Sequence, residues 1–158
     1  MKSWRNWHKG QSAVELALAA PILAVLLVVA TDYARAFYMS VELDNAARAG
    51  AQYASQSTTT AADSSGIISA AKLGAPDISG MTVTTSACTC VSPVPSGQSA
   101  CPSSYCTNSP SANYIEVDTK DNFTMVLNFN NFGNVVKGFK GPASTIPLTA
   151  KAIMQVQE

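Results

Sequence analysis

The 158 residues carry ten Lys/Arg against ten Asp/Glu, so the chain has no net charge and lacks the basic footprint of a nucleic-acid binder. Its length suits one small domain plus an anchor. Both tryptophans and the single histidine, Trp4, Trp7 and His8, lie in the first ten residues, so a Ser-His-Asp arrangement has no histidine to draw on in the remaining chain.

The same decapeptide holds Lys2, Arg5 and Lys9 and no acid, leaving residues 11–158 with seven Lys/Arg, ten Asp/Glu and a net of −3. The stretch "KGQSAVELALAAPILAVLLVVATDY" (9–33) comes next. Leu16 to Thr31 is 16 residues without a charge, about 24 Å of helix, against a hydrocarbon core of about 30 Å. Beginning at Ala13 extends the run to 19 residues, about 28 Å, and places Glu15 inside it. A carboxylate at the bilayer centre costs ~2.5–3.5 kcal/mol, so the pattern predicts a compensating partner for Glu15. The alternative is that Glu15 sits at headgroup level near Lys9. The basic residues ahead of the run predict a cytoplasmic N-terminus and a remainder outside the cytoplasm.

Between Gln11 and Ser55 the only proline is Pro21 and the only glycine is Gly50. Alanine and leucine dominate, which predicts one helix of ~45 residues. Pro21 removes the bond to the Ala17 carbonyl, a defect that membrane helices accommodate. Past Thr31, Tyr33, Phe37 and Val41 form a stripe beside Ala34 and Tyr38, and Asp32, Arg35, Glu42, Asp44 and Arg48 supply a polar side. Ala46, Gly50 and Ala54 recur every four residues, a spacing that lets another element approach closely. That element is either the chain's own sheet or a second subunit.

"SQSTTTAADSSG" (55–66) reads as a loop, and "SGIISAAKLG" (65–74) as a short helix stopped by Gly74 ahead of Pro76. Period-two alternation then marks strands in "MTVTTSA" (81–87), "NYIEVDT" (113–119), "FTMVLNF" (123–129) and "LTAKAIMQVQ" (148–157). "TKDN" (119–122) reads as a turn, making 113–129 a hairpin. The fold class is α+β: a long N-terminal helix, transmembrane in its first half, packed on a small antiparallel sheet with a disulfide-bonded loop.

That loop is "CTCVSPVPSGQSACPSSYC", holding Cys88, Cys90, Cys101 and Cys106. Four cysteines in an exported Ser/Pro-rich segment predict two disulfides. C-x-C with C-x4-C is poor zinc spacing, and no histidine follows. Joining Cys88 to Cys90 would close a very tight ring, which leaves 88–106/90–101 or 88–101/90–106.

Enzymatic chemistry has no foothold. "GNVVKGFKG" lacks phosphate-binding spacing, C-x-C is not a redox C-x-x-C, and Asp118 and Asp121 flank Lys120 as a solvated tip rather than a calcium site. The "NFT" at Asn122 is a sequon match without further support. The expectation is no catalysis, cofactor, metal, nucleic acid or small-molecule substrate.

"KGQSAVELALAAPILAVLLVVA" resembles the class III signal and helix of type IV pilin-like proteins, and "YARAFYMSVELDNAARAGAQYA" narrows the resemblance to TadE-like minor pseudopilins of Flp/Tad pilus systems. "IPLTAKAIMQVQ" is similar to that family's last strand. The likeness covers residues 9–55 well and 113–157 loosely, and leaves out the cysteine segment. Leu16 stands where major Flp pilins usually carry tyrosine, and those pilins are much shorter; both departures favour a minor subunit. The resemblance implies cleavage by prepilin peptidase between Gly10 and Gln11, with Glu15 fifth in the mature chain. It also implies partners: other pilin or pseudopilin subunits, the inner membrane and the Tad-type assembly machinery. The freed Gln11 amine of one subunit could then meet Glu15 of another, an attraction of ~4 kcal/mol at 4 Å and an effective dielectric of 20.

The expected organisation is a basic leader over 1–10, a transmembrane and assembly helix over 11–31, its amphipathic continuation over 32–56, and an extracytoplasmic α+β domain over 57–158. The leading function is a minor pseudopilin of a bacterial pilus or related secretion filament, held in the inner membrane with its C-terminal domain periplasmic or extracellular. The competing readings are a disulfide-bonded binding module, secreted after a cut at "ARA" (34–36) or permanently anchored, and the main subunit of a pilin-like filament.

Overall fold

The computed structural model describes residues 8–107, 111–126 and 144–157. Most of the basic leader, the last residues of "FTMVLNF" and the loop "GNVVKGFKG" lie outside them. In chain order the elements are α1 (His8–Ala54), α2 (Thr58–Ala62), α3 (Ser64–Gly74), β1 (Thr82–Thr89), β2 (Ser99–Ala100), β3 (Asn113–Thr124) and β4 (Thr145–Gln155). By contact density the chain forms two units, one of Met1–Ala36 with Thr124–Ser144 and the other of Phe37–Phe123 with Thr145–Glu158.

The helix α1 runs 47 residues without a break and carries Pro21 inside it. In the second unit the sheet order is β2-β1-β3-β4. β1 pairs antiparallel with β3, from Thr82 opposite Lys120 to Thr89 opposite Asn113. The sheet is mixed rather than wholly antiparallel, because the two-residue β2 pairs parallel with the end of β1, Cys88 opposite Ser99.

The inner face of the sheet packs on α1 and α3. Ile115 and Val117 of β3 and Ala152 of β4 join Ala47, Ala51, Ala54 and Ile67 in one cluster. Leu43, Ala46, Ala75 and Met81 form a second. Alternation carries this arrangement: Ile115, Val117 and Thr119 are buried, while Glu116 and Asp118 on the opposite face share Lys151, whose Nζ lies 2.6 Å from Glu116 Oε1 and 3.7 Å from Asp118 Oδ1.

Two local expectations need correction. Residues 119–122 are not a turn; β3 passes straight through them. Thr119 is fully buried and its hydroxyl donates to the Leu43 carbonyl of α1 at 2.8 Å, while Lys120 lies opposite Thr82 of β1. Pairing and burial override the turn preference of Lys-Asp-Asn. Residues 55–66 are also not all loop, for α2 forms at 58–62. Ser57 and Thr60 close a reciprocal capping box, with Thr60 N–H to Ser57 Oγ at 3.2 Å and Ser57 N–H to Thr60 Oγ1 at 2.9 Å. Asp63 then caps α3 by accepting the Gly66 N–H at 3.0 Å.

Candidate anchoring and assembly site

Residues 10–31 of α1 bury nothing; only Ala19 and Val28 are even half-covered. Val14, Leu16, Leu18, Ile22, Leu23, Leu26 and Leu27 are all more than half exposed. At 100° per residue these positions surround the helix, so the surface is apolar on every side, and such a helix is stable only in an apolar surrounding. It is the one helix among the described residues long and apolar enough to cross a membrane. Gly10 and Gln11 are exposed in its first turns, and a Cβ at Gly10 would meet no heavy atom within 4 Å. Glu15 is exposed as well and has no hydrogen bond or ion pair among the described residues. Among the described residues, therefore, none supplies a counter-charge to this carboxylate.

The far end of the apolar run is different. Asp32, the first charge after Glu15, is only 8% exposed. Both its carboxylate oxygens lie 3.1 Å from the backbone N–H of Val126, and Arg35 Nη1 stands 3.4 Å from Oδ1. One residue earlier, the Met125 N–H donates to the Ser144 carbonyl at 2.9 Å. The carboxylate thus grips the point where the chain leaves β3, a charge-assisted bond that exceeds a neutral one in strength. Sequence reading placed Asp32 on the polar side of an amphipathic helix and missed this role. The available signal was an acid directly after an apolar run, which specifies no partner.

Further along α1, Ala46, Gly50 and Ala54 face the chain's own domain. Ala46 and Ala54 are fully buried, and a Cβ at Gly50 would stand 3.2 Å from Val117 Cγ1, 3.3 Å from Ala71 Cβ and 3.4 Å from Ile67 Cγ2. The reciprocal small residue is Gly74 of α3, where a Cβ would come within 2.8 Å of Ala49 Cβ. The small-residue face is occupied within one chain, by α3 and β3. The large residues of this helix face outward instead: Phe37, Tyr38 and Val41 are 63%, 55% and 42% exposed. Tyr38 is tethered through its hydroxyl, which donates to Asp77 at 3.1 Å and raises the phenol pKa.

The cysteines pair as Cys88–Cys101 and Cys90–Cys106, with Cα separations of 4.9 and 5.4 Å. The sulfurs of Cys90, Cys101 and Cys106 lie within 4.8 Å of one another because the two bonds are adjacent, and no thiol is free among the described residues. The bonds hold the Ser/Pro-rich segment to the end of β1, where Cys101 N–H donates to the Thr89 carbonyl at 3.1 Å. Tyr105 stacks on Tyr114 with ring centroids 5.9 Å apart and accepts the Tyr114 hydroxyl at its carbonyl, 3.1 Å away.

Comparison with known proteins bears on the stem. Residues 10–52 match the family described as TadE-like protein, a match that runs from the candidate cleavage position past Ala46 and Gly50. No curated protein and no solved structure matches the chain.

Proposed function

We propose, from a stem similar to TadE-like proteins over residues 10–52, that this chain is a minor pseudopilin of a Tad/Flp-type pilus or related secretion filament. A TadE-like stem suggests a Tad pilus-related, structural protein. The observation that supports the finer reading is the division of one helix: residues 10–31 are apolar and exposed all round, while the small residues from Ala46 onward are spent on the chain's own domain. The first half is free to be lipid-bound and then subunit-bound.

In this reading the N-terminus is cytoplasmic, prepilin peptidase cuts between Gly10 and Gln11, and the domain beyond the stem lies outside the cytoplasm. Exposure suits Gly10 and Gln11 to a protease. Glu15 has no partner among the described residues, and a neighbouring subunit's Gln11 amine would compensate it on assembly. Insertion as a lone chain then carries the carboxylate's cost, and joining a bundle recovers it.

The deciding experiment pairs Gly10→Ala with Glu15→Gln in cells that carry the Tad machinery. N-terminal sequencing of the wild type should begin at Gln11, and Gly10→Ala should accumulate precursor. Glu15→Gln should insert into membranes as well as wild type but lose crosslinks to other pilus subunits, because a desolvated ion pair missing one partner costs about 3–5 kcal/mol. A mature chain beginning after Ala36 would instead identify a secreted module. Equal crosslinking in both chains would reduce Glu15 to an interfacial charge.

A further inference from the structure

Two disulfides, Cys88–Cys101 and Cys90–Cys106, stand side by side at the end of β1. The sulfurs of Cys90, Cys101 and Cys106 lie within 4.8 Å of one another, and Cys88 is outside that trio. From this placement we infer that the two bonds are coupled by thiol–disulfide exchange through Cys101: a thiolate freed at Cys90 or Cys106 attacks the Cys101 sulfur and expels Cys88. The Ser/Pro-rich segment is thereby a redox latch, in which opening one bond releases the tie made by the other.

The step balances within the chain. An external dithiol opens Cys90–Cys106, leaving two protein thiols and its own disulfide. The thiolate is the nucleophile, and its attack on a disulfide sulfur forms one S–S bond as another breaks. When Cys106 attacks, Cys101–Cys106 forms and Cys88–Cys101 breaks. The Cys88 sulfur leaves with the electron pair and takes up a proton. When Cys90 attacks, Cys90–Cys101 forms and the leaving group is again Cys88. The exchange itself consumes no oxidant or reductant.

Cys101 is the branch point because its bond is the one that leads out of the trio, to Cys88. Both sulfurs of the other bond stand a side-chain rotation away from it. Holding reacting groups this close turns a bimolecular step into a unimolecular one. The proximity outlasts the opening of one bond, because the backbone holds each member separately. The Cys90 N–H donates to the Ala112 carbonyl at 2.9 Å, Cys101 N–H to Thr89 at 3.1 Å and Cys106 N–H to Ser103 at 3.2 Å. Tyr105, next to Cys106, is fixed by the Tyr114 hydroxyl and ring. All four cysteines are half-buried, which leaves them within reach of a small thiol.

The consequence is local. Cys88 lies opposite Ser99 where β1 meets the two-residue β2. Losing the Cys88–Cys101 bond leaves that short pairing to its backbone hydrogen bonds alone. Neither core cluster contains a cysteine, so α1 and the sheet keep their packing. The inference does not rest on the pilus reading; it stands on the sulfur positions alone.

The test needs no added reductant. In the full chain in detergent, Cys90→Ser leaves Cys106 as the attacking thiol, and Cys106→Ser leaves Cys90. Each variant is held near pH 4, moved to neutral pH, alkylated at intervals and mapped by mass spectrometry. Label is expected at Cys88 in both, together with a Cys101–Cys106 peptide in the first and a Cys90–Cys101 peptide in the second. The rate should rise about tenfold between pH 6 and 7, following the thiolate fraction, and should not change with protein concentration. The double variant Cys90→Ser with Cys106→Ser has no attacking thiol, so its Cys88 should stay unlabelled. Circular dichroism of each variant checks that the sheet is kept. Label confined to Cys106 in the first variant and to Cys90 in the second after hours, the range of uncatalysed rearrangement, would overturn the inference. So would a rate proportional to protein concentration, or label at Cys88 in the double variant.

Discussion

Asp32 and Val126 are 94 residues apart in sequence, yet both carboxylate oxygens of the first lie 3.1 Å from the backbone N–H of the second. The carboxylate follows the apolar run directly, so the chain leaving β3 is moored beside the end of that run.

Removing that acceptor should be felt locally. Asp32→Ala leaves the Val126 N–H without its charged partner, a loss of about 1.5–3 kcal/mol. Hydrogen exchange at Val126 should accelerate by roughly ten- to a hundredfold, and Asp32→Asn, which keeps one carbonyl oxygen, should fall between. Unchanged exchange in Asp32→Ala would contradict the mooring.

The two glycines at the α1–α3 contact should respond unequally. A Cβ on Gly74 meets Ala49 Cβ at 2.8 Å and the Ala46 Cα at 3.2 Å. Backbone cannot step aside as a side chain can, so Gly74→Ala should cost about 1–3 kcal/mol. At Gly50 the contacts are 3.2–3.4 Å and all to side chains, and alanine brings about 1 kcal/mol of helix propensity. Gly50→Ala should thus stay within about 1 kcal/mol of wild type. Denaturant unfolding of the full chain in detergent, followed by circular dichroism, reads both; the reverse ranking would be incompatible with this packing.

Peptide mapping without reductant should recover Cys88–Cys101 and Cys90–Cys106. The bonds span 13 and 16 residues, which corresponds to about 3 kcal/mol each if constraint of the unfolded chain dominates. Neither core cluster contains a cysteine, so mild reduction should expose amides over 88–107 while β3 and β4 remain protected. Simultaneous loss of protection in β3 would show that the domain depends on the bonds as a whole.

The pH profile should have two structural limbs. Asp63 accepts from the Ser65 hydroxyl, the Gly66 N–H and the Tyr53 hydroxyl, and its pKa is lowered from 3.8 to about 2. Its contribution is complete above the ordinary value and is lost as pH falls through 3.8 toward 2. Lys151 is raised above its ordinary 10.5, first by its bond to Glu116, and Tyr38 and Tyr53 above 10.0 by their bonds to Asp77 and Asp63. These contributions are present below the ordinary values and vanish as pH rises through the raised ones. Asp63→Asn should flatten the acid limb, and the double variant Tyr38→Phe with Tyr53→Phe the alkaline one. Stability curves parallel to wild type at both ends would count against these pairings.

What the sequence determined by itself is what depends on neighbours along the chain: the helix from its alanine and leucine content, its apolar first half, the helix ending at Gly74, and strands with Ile115 and Val117 inward. Each follows from propensity or from a period of 3.6 or 2 residues. Tertiary structure decided what depends on distant partners. It kept Thr119–Asn122 in a strand, because the Leu43 carbonyl and β1 met groups that a turn would have left to water. It chose one of two disulfide pairings, because only the fold brings Cys101 beside Cys88. It turned Ala46 and Gly50 onto α3 and β3 and left Phe37 outward, since a close helix contact accepts a methyl or a hydrogen but not a ring. And it placed Val126 against Asp32, a contact that no periodicity encodes because its two halves lie on separate elements.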